Sequence, residues 1–346
     1  MSVPVGVARP EVAAPPDGGP VPAIEVRDLH KRYGELEAVA GISFSVAPRE
    51  TFGFLGPNGA GKSTTISMLC TLVRPSSGSA RVAGFDAVAA PAEVRRRIGL
   101  VFQDTTLDDY LTAKENLRFH AELYGVPGSI VEDRIRQVLT MVELWDRRDH
   151  IVRTFSGGMK RRLEIARGLL HSPRVLFLDE PTIGLDPQTR SHIWAYIREL
   201  KRREEITIFM TTHYMDEAEF CDRIAIIDHG RVVAMGTPEE LKASVGRDRV
   251  QIRTDDAEAA ILALRERFEI EATVSEEMVT FHVPGGEQFV PQLFAGLGVP
   301  IRSVSVARPT LDDVFMTYTG RTIRDAEAST GDQMRSLPFV RAHRGR

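Results

Sequence analysis

The stretch Gly56-Pro57-Asn58-Gly59-Ala60-Gly61-Lys62-Ser63-Thr64 decides the fold. Before it runs Thr51–Leu55, an apolar stretch that reads as a buried strand. After it, Ile66, Met68, Leu69, Leu72 and Val73 predict a helix over Thr64–Val73. Strand, glycine loop and helix form the context in which the spacing G-x-x-x-x-G-K-[ST] makes a phosphate site. Glycine lets the backbone curl until successive N–H groups point at one anion, and the helix aims its positive end there too. In such a loop Lys62 reaches the β- and γ-phosphates and the Ser63 hydroxyl ligates magnesium. The plain alternative is a glycine-rich turn that ends in Lys-Ser, which the strand and helix flanks make rarer.

The rest of the composition narrows the class. The 346 residues suffice for one large domain and a smaller one, and 42% apolar with 27% charged residues describes a globular chain. With 44 basic against 48 acidic residues, no global positive field argues for a nucleic-acid partner. Cys70 and Cys221 are the only cysteines and read as buried reduced thiols. No run approaches the roughly 20 apolar residues that cross a bilayer, and no signal peptide is expected. Work at a membrane would therefore require a partner there.

In chain order, residues 1–22 are Pro-, Ala- and Gly-rich and read as a disordered leader. Strands are expected at Ile24–Val26 and within Ala38–Val46, with Tyr33 between them placed to stack on a purine or to pack at a strand edge. A stop at Arg74–Gly78, a turn at Ala83–Phe85 and a helix over Ala92–Arg97 follow. The strand Ile98–Phe102 ends on Gln103, at the carboxyl end where α/β proteins place ligand contacts. From Leu111 to about Arg153 the pattern turns helical, through Leu117, Phe119, Leu123, Ile135, Val138 and Leu139. Ser156-Gly157-Gly158 opens the next helix and reads either as a second anion-binding terminus or as an ordinary N-cap. Val175–Leu178 ends in Asp179-Glu180. One carboxylate there can hold magnesium while its neighbour orients or deprotonates a water. Gly184-Leu185-Asp186 turns into the helix Gln188–Arg203, and the strand Ile206–Met210 closes on Thr211-Thr212-His213.

Taken together, Tyr33, Gly56–Thr64, Gln103, Ser156–Gly158, Val175–Glu180, Gly184–Asp186 and His213 resemble, in order, the motifs of ABC transporter ATP-binding subunits. Within that group the chain looks most like the drug-resistance exporter ATPases of the daunorubicin type. The resemblance implies a P-loop ABC ATPase cassette, with a RecA-like α/β core, an antiparallel β subdomain and a helical subdomain near 104–155, together spanning 23–240. It also implies two cassettes head to tail as a homodimer, with ATP and Mg²⁺ at each site. Lys62 and Gly56–Thr64 would bind the phosphates, and Tyr33 would stack on the base. Asp179 and Ser63, with Gln103, would hold Mg²⁺. Glu180 would be the general base or water-positioning group, His213 would contact the γ-phosphate and Gln103 would sense it. Ser156, Gly157 and Gly158 would cap the nucleotide of the partner copy, with Asp186 at the seam. Phe155 stands where that family usually has Leu, and Ile183 where it has a small polar residue; both bear on dimer closure. The partners implied are membrane permease subunits, met by the helical subdomain and Tyr110, at the cytoplasmic face of the cell membrane. The implied cargo is a hydrophobic drug or natural product, with a polysaccharide or lipid-linked molecule as the alternative.

Past Gly236 the pattern changes to strand 249–253, helix 257–268, strands 271–274 and 279–283, helix 288–297 and strand 301–306. That βαββαβ order predicts a small ferredoxin-like α+β domain over 247–320. Pro309–Phe315 resembles a C-terminal motif of the drug exporters. Residues 321–346, with Arg335, Arg341, Arg344 and Arg346, read as a basic tail. Rival classes fit less well. A GTPase switch would need an Asn-Lys-x-Asp segment, which is absent, and a small-molecule kinase would have no use for the second Ser-Gly-Gly terminus. Soluble ABC ATPases of repair or translation generally carry paired cassettes, coiled coils or zinc-binding cysteines.

Overall fold

The computed structural model describes residues 21–275 and 278–320. Apart from residues 21 and 22, the leader read from the sequence lies outside the described residues, as does the whole basic tail. The chain divides into two compact units after Met235.

The first unit runs β1 (Ile24–Tyr33), β2 (Leu36–Val46), β3 (Thr51–Leu55), α1 (Lys62–Leu69), β4 (Ser77–Val82), β5 (Phe85–Asp86), α2 (Pro91–Arg95) and β6 (Ile98–Val101). It continues through α3 (Ala113–Leu123), α4 (Gly128–Met141), α5 (Gly157–Leu169), β7 (Val175–Asp179), α6 (Pro187–Glu204), β8 (Thr207–Thr212), α7 (Met215–Ala218), β9 (Arg223–Asp228) and β10 (Arg231–Gly236). A six-stranded sheet has the order β10-β9-β3-β8-β7-β6, with β3 parallel to β8 and β9, and β7 parallel to β8 and β6. A four-stranded antiparallel sheet has the order β2-β1-β4-β5. With the helices α3 and α4 between β6 and α5, this is the α/β cassette architecture that the motifs imply.

Every residue of β3 and β7 is buried, which is why these strands read as unbroken apolar runs without alternation. The two sheets meet at a cluster of phenylalanines. Phe209 of β8 lies 5.9 Å from Phe44, 5.7 Å from Phe52, 5.6 Å from Phe54 and 5.6 Å from Phe177, ring centroid to centroid. Burying each such ring stabilises the fold by about 2–3 kcal/mol. The parallel register pairs Leu55 with Thr212, Thr211 with Asp179, and Leu178 with Val101. Gly56, His213, Glu180 and the Phe102–Gln103 segment therefore leave the sheet along one edge.

The structure departs from the sequence reading in two places. The helix after the phosphate loop starts at Lys62 and ends at Leu69, short of Val73, because Thr71 takes a left-handed conformation (φ 63°). Leu72 is consequently 53% exposed. In α3 the buried face is Ala113, Asn116, Leu117 and Ala121, so Phe119 and Leu123 point to solvent rather than into the helical segment.

The second unit runs α8 (Pro238–Val245), β11 (Asp248–Thr254), α9 (Ala257–Phe268), β12 (Ala272–Ser275), β13 (Met278–Val283), α10 (Gly286–Gly296), β14 (Ile301–Ala307) and α11 (Leu311–Thr319). Its sheet is antiparallel in the order β12-β13-β11-β14, the arrangement of a split βαββαβ fold. Val250, Ile252, Leu264, Phe281 and Leu293 form its core. Capping boxes at Thr237/Glu240 and Thr310/Asp313 start α8 and α11.

Helix α5 reaches the parallel sheet through a glycine pair. A Cβ on Gly99 would stand 2.2 Å from the carbonyl oxygen of Gly168. Gly99→Ala should therefore push α5 off β6 and destabilise the chain by about 3 kcal/mol, read as a lowered denaturant midpoint at unchanged slope.

Candidate functional site

Gly61 precedes α1 with φ 106°, and a Cβ there would meet the Ala38 carbonyl oxygen at 2.5 Å. Only glycine fits this position, which turns the chain so that α1 begins at Lys62 with its first N–H groups free. No acidic residue occupies the first turn of α1 or of α5, so neither helix carries an acid of its own at its positive end.

Five of the residues singled out by sequence come together at the carboxyl edge. Lys62, buried, donates from Nζ to the carbonyls of Gly56 (2.7 Å) and Pro57 (3.1 Å) and pairs with Glu180 Oε1 at 3.0 Å. Ser63 Oγ donates to Asp179 Oδ1 at 3.3 Å, and Thr211 Oγ1 donates to the same oxygen. His213 Nδ1 stands 3.3 Å from Glu180 Oε2, within ion-pair distance but without hydrogen-bond geometry. Both atoms are buried without a hydrogen-bond partner. Burial opposes ionisation of Glu180, but His213 and Lys62 outweigh it and hold its carboxyl down to about 2. Asp179 shifts the other way. Burial raises its pKa, only partly offset by the Thr211 and Ser63 hydroxyls.

A second group forms around the start of α5. Ser156 caps that helix, its Oγ accepting from Met159 N at 3.3 Å, so the N-cap reading is realised. Gly158 packs against α6, where a Cβ would come within 2.5 Å of Thr189 Cγ2. Thr189 in turn donates from N (3.0 Å) and Oγ1 (2.6 Å) to Asp186, the N-cap of α6. A cleft of 1060 Å³ opens here, lined by Ser156, Gly158, Arg162 and Thr189 among others. Among the described residues, no hydrogen bond or ion pair joins Ser156, Gly157, Gly158 or Asp186 to the Lys62 cluster. Tyr33 and Gln103 lie outside both groups. Tyr33 is 48% exposed with the Lys31 ammonium 4.8 Å over its ring, and Gln103 is exposed just past β6. Phe155 is buried and Ile183 half-buried.

Sequence reasoning passed over three residues that build this edge. Thr211 also accepts from the backbone N–H of Glu180 at 3.0 Å. Glu217, 1% exposed, accepts from the hydroxyls of Thr182 and Thr212 and so ties the segment after β7 to the end of β8. Arg161 sits within three consecutive basic residues, Lys160-Arg161-Arg162, yet it is 6% exposed. The one signal for it is the acid three residues on, Glu164, amid the apolar Leu163, Ile165 and Ala166.

A model of the ABC transporter family matches residues 39–183, and one for the C-terminal domain of DrrA1-3-like ATP-binding proteins matches 236–319. The daunorubicin/doxorubicin resistance ATP-binding protein DrrA of Streptomyces peucetius is 40% identical over 88% of this chain and 95% of its own length. The chain belongs to the ABC transporter ATP-binding proteins. This ABC ATPase is also 40% identical to the linearmycin resistance ATP-binding protein LnrL of Bacillus subtilis, over 87% of the chain and all of that protein. Among solved structures it resembles a dimeric ATP-binding cassette in a post-hydrolysis state bound to ADP and Pi. That similarity has a TM-score of 0.56 and 27% identity, over 62% of this chain and 98% of that one. It is an ATPase, and ATP is its substrate.

Removing the lysine charge should raise the Glu180 carboxyl, because a cation favours the ionised form. Lys62→Met should move its titration upward from about 2, followed by NMR of glutamate labelled at the carboxyl carbon. An unmoved titration would mean the ion pair has no hold on the acid.

Proposed function

We propose that this ABC ATPase is the energy-coupling subunit of an exporter for a hydrophobic drug or natural product. It would act as a homodimer on separate permease subunits at the cytoplasmic face of the membrane. The observation that carries the dimer is the separation of the two groups. Among the described residues, one chain holds a lysine–carboxylate–histidine cluster and a second helix start free of acids, whose Ser156, Gly157 and Gly158 share no hydrogen bond or ion pair with that cluster. Two copies head to tail would complete each site from both. The resistance functions in the names of the relatives support the cargo class. Among the described residues no helix is long and apolar enough to cross a membrane. The exposed Tyr110, Phe119 and Leu123 support contact of the helical segment with a permease.

In this reading the N–H groups of Gly56–Thr64 and the α1 terminus bind the phosphates, Tyr33 stacks on the base, and Ser156, Gly157 and Gly158 cap the nucleotide of the other copy. Asp186 lies at the seam between copies. Ser63 and Asp179 suit Mg²⁺: a hydroxyl and a carboxylate are hard oxygen donors, and a cation would relieve the burial that raises the Asp179 carboxyl. Among the described residues no three His, Cys, Asp or Glu side chains cluster as a metal site, so phosphate and water oxygens, with Gln103 if its segment moves in, would complete the shell. Bound there, Mg²⁺ would neutralise charge that develops on the phosphates.

Lys62 moves charge in the site. Its ammonium rests on two loop carbonyls and Glu180, and a γ-phosphate oxygen competes with Glu180 for it. As Lys62 turns to the phosphate, Glu180 loses a cationic neighbour and becomes a stronger base toward water. His213 remains beside Glu180 Oε2 and can orient it or donate to the γ-phosphate, while Gln103 senses that phosphate from the end of β6.

Glu180→Gln should keep ATP affinity, lose turnover by about 10²–10³-fold and accumulate a nucleotide-bound dimer on gel filtration. Normal hydrolysis by that variant would remove Glu180 from its role. Lys62→Ala should weaken ATP binding in calorimetry. For the transport reading, affinity capture of the full chain from native membranes with and without ATP should recover a multi-span permease. Recovery of ribosomes or DNA instead would favour a soluble repair or translation ATPase.

A further inference from the structure

Arg161 lies in the second turn of α5, and all five of its N–H groups are used. Nε donates to the Pro181 carbonyl at 2.6 Å. One terminal nitrogen donates to the Phe102 carbonyl at 2.5 Å and to Glu164 Oε2 at 3.0 Å. The other donates to the carbonyls of Asp179 (3.1 Å) and Glu180 (3.2 Å). A single guanidinium thus binds the backbone ends of two adjacent parallel strands, β6 and β7.

The backbone at Glu180 explains why so many carbonyls converge there. Glu180 has φ +45°, a left-handed conformation that a residue with a side chain rarely adopts. Such a conformation persists only where the surroundings over-determine it. Here the turn swings three successive carbonyls, of residues 179, 180 and 181, toward α5, and Arg161 satisfies them all. Thr211 Oγ1 holds the N–H of Glu180 from the other side. The same helix grips both flanks of Gln103. Arg161 takes Phe102, while Glu164 Oε1 accepts from Thr106 N at 2.8 Å and Arg167 donates to the Thr106 carbonyl at 3.1 Å. Glu164 is fully buried and supplies the countercharge that Arg161 needs at that depth.

We propose that Arg161 is a positioning residue for ATP hydrolysis, holding the left-handed turn that aims Glu180 and the strand end that presents Gln103. The proposal rests on the assignment of Glu180 as the group that acts on water. Arg161 works through backbone carbonyls, and its helix begins one turn earlier at Ser156-Gly157-Gly158. A shift of that helix start therefore reaches Glu180 and Gln103 through one rigid, planar group. Lysine could not replace it: an ammonium has three donors and no fixed fork with which to span two strands.

The experiment compares steady-state MgATP hydrolysis, ATP affinity and melting temperature of the full-length chain with those of Arg161→Lys and of the double variant Arg161→Met/Glu164→Gln. The double variant removes both charges together and leaves no bare carboxylate in the core. If the double variant unfolds, Arg161→Lys alone decides. The expected result is a kcat lowered about 10²-fold, the penalty for a misaimed reacting group, at parental ATP affinity and in a chain that melts lower but stays folded at the assay temperature. Parental kcat in a folded variant, the lysine one included, would overturn the proposal. So would a fall in ATP affinity as large as that in kcat, which marks a purely structural ion pair. Glu180→Gln, measured alongside, separates the two ideas. A dead Glu180→Gln chain beside a fully active Arg161 variant overturns the proposal alone, whereas an active Glu180→Gln chain overturns the Glu180 assignment and the proposal with it.

Discussion

Two adjacent carboxylates at the end of a fully buried strand are the constraint around which this ABC ATPase is built. Neither could remain charged in an apolar interior without partners, since an unpaired buried charge costs several kcal/mol. The partners come from elements far apart in the chain. Lys62 and Ser63 arrive on α1, Thr211 on β8, and His213 on the residue that follows that strand. The six-stranded sheet exists, in this sense, to bring those groups to one edge. The phenylalanine cluster beneath it keeps the strand ends in register.

The two acids are treated differently although they are neighbours in sequence. Asp179 meets neutral hydroxyls and its carboxyl is pushed up by burial, whereas Glu180 meets a lysine and a histidine and is held down to about 2. Environments that push paired carboxyls apart assign them distinct work. In the proposed reading Asp179 would gain from a cation, and Glu180 would be a base restrained by one. The left-handed turn at Glu180 makes this division possible, since it sends the two side chains toward different partners.

Much of this was legible in the sequence for a physical reason. Interior parallel strands must be continuous apolar runs, so a polar residue ending one stands out, as do Asp179, Glu180, Gln103 and His213. The strands of the second unit alternate because one face of their sheet is covered, and they too can be read. Helix faces were harder. Leu72 and Leu123 carry the right periodicity but fall where α1 has ended or where α3 faces solvent. Arg161 was illegible because its meaning depends on β6 lying beside β7, a pairing of residues 98–101 with 175–178 that no local pattern encodes. Read locally, three consecutive basic residues look like surface.

The contacts of α5 at Phe102 and Thr106 also fasten the chain where it leaves the sheet for α3 and α4. Arg153 N donates to the Asp109 carbonyl at 3.0 Å and Lys160 pairs with Asp109 at 2.6 Å, which closes the return path at the same base. A segment whose entry and exit are bound together this closely is a closed loop in the polymer sense. Lengthening it beyond that base adds little closure entropy, because the penalty grows only with the logarithm of loop size. The helices between residues 107 and 152 can accordingly diverge, shorten or be exchanged while the carboxylates at the sheet edge stay where they are.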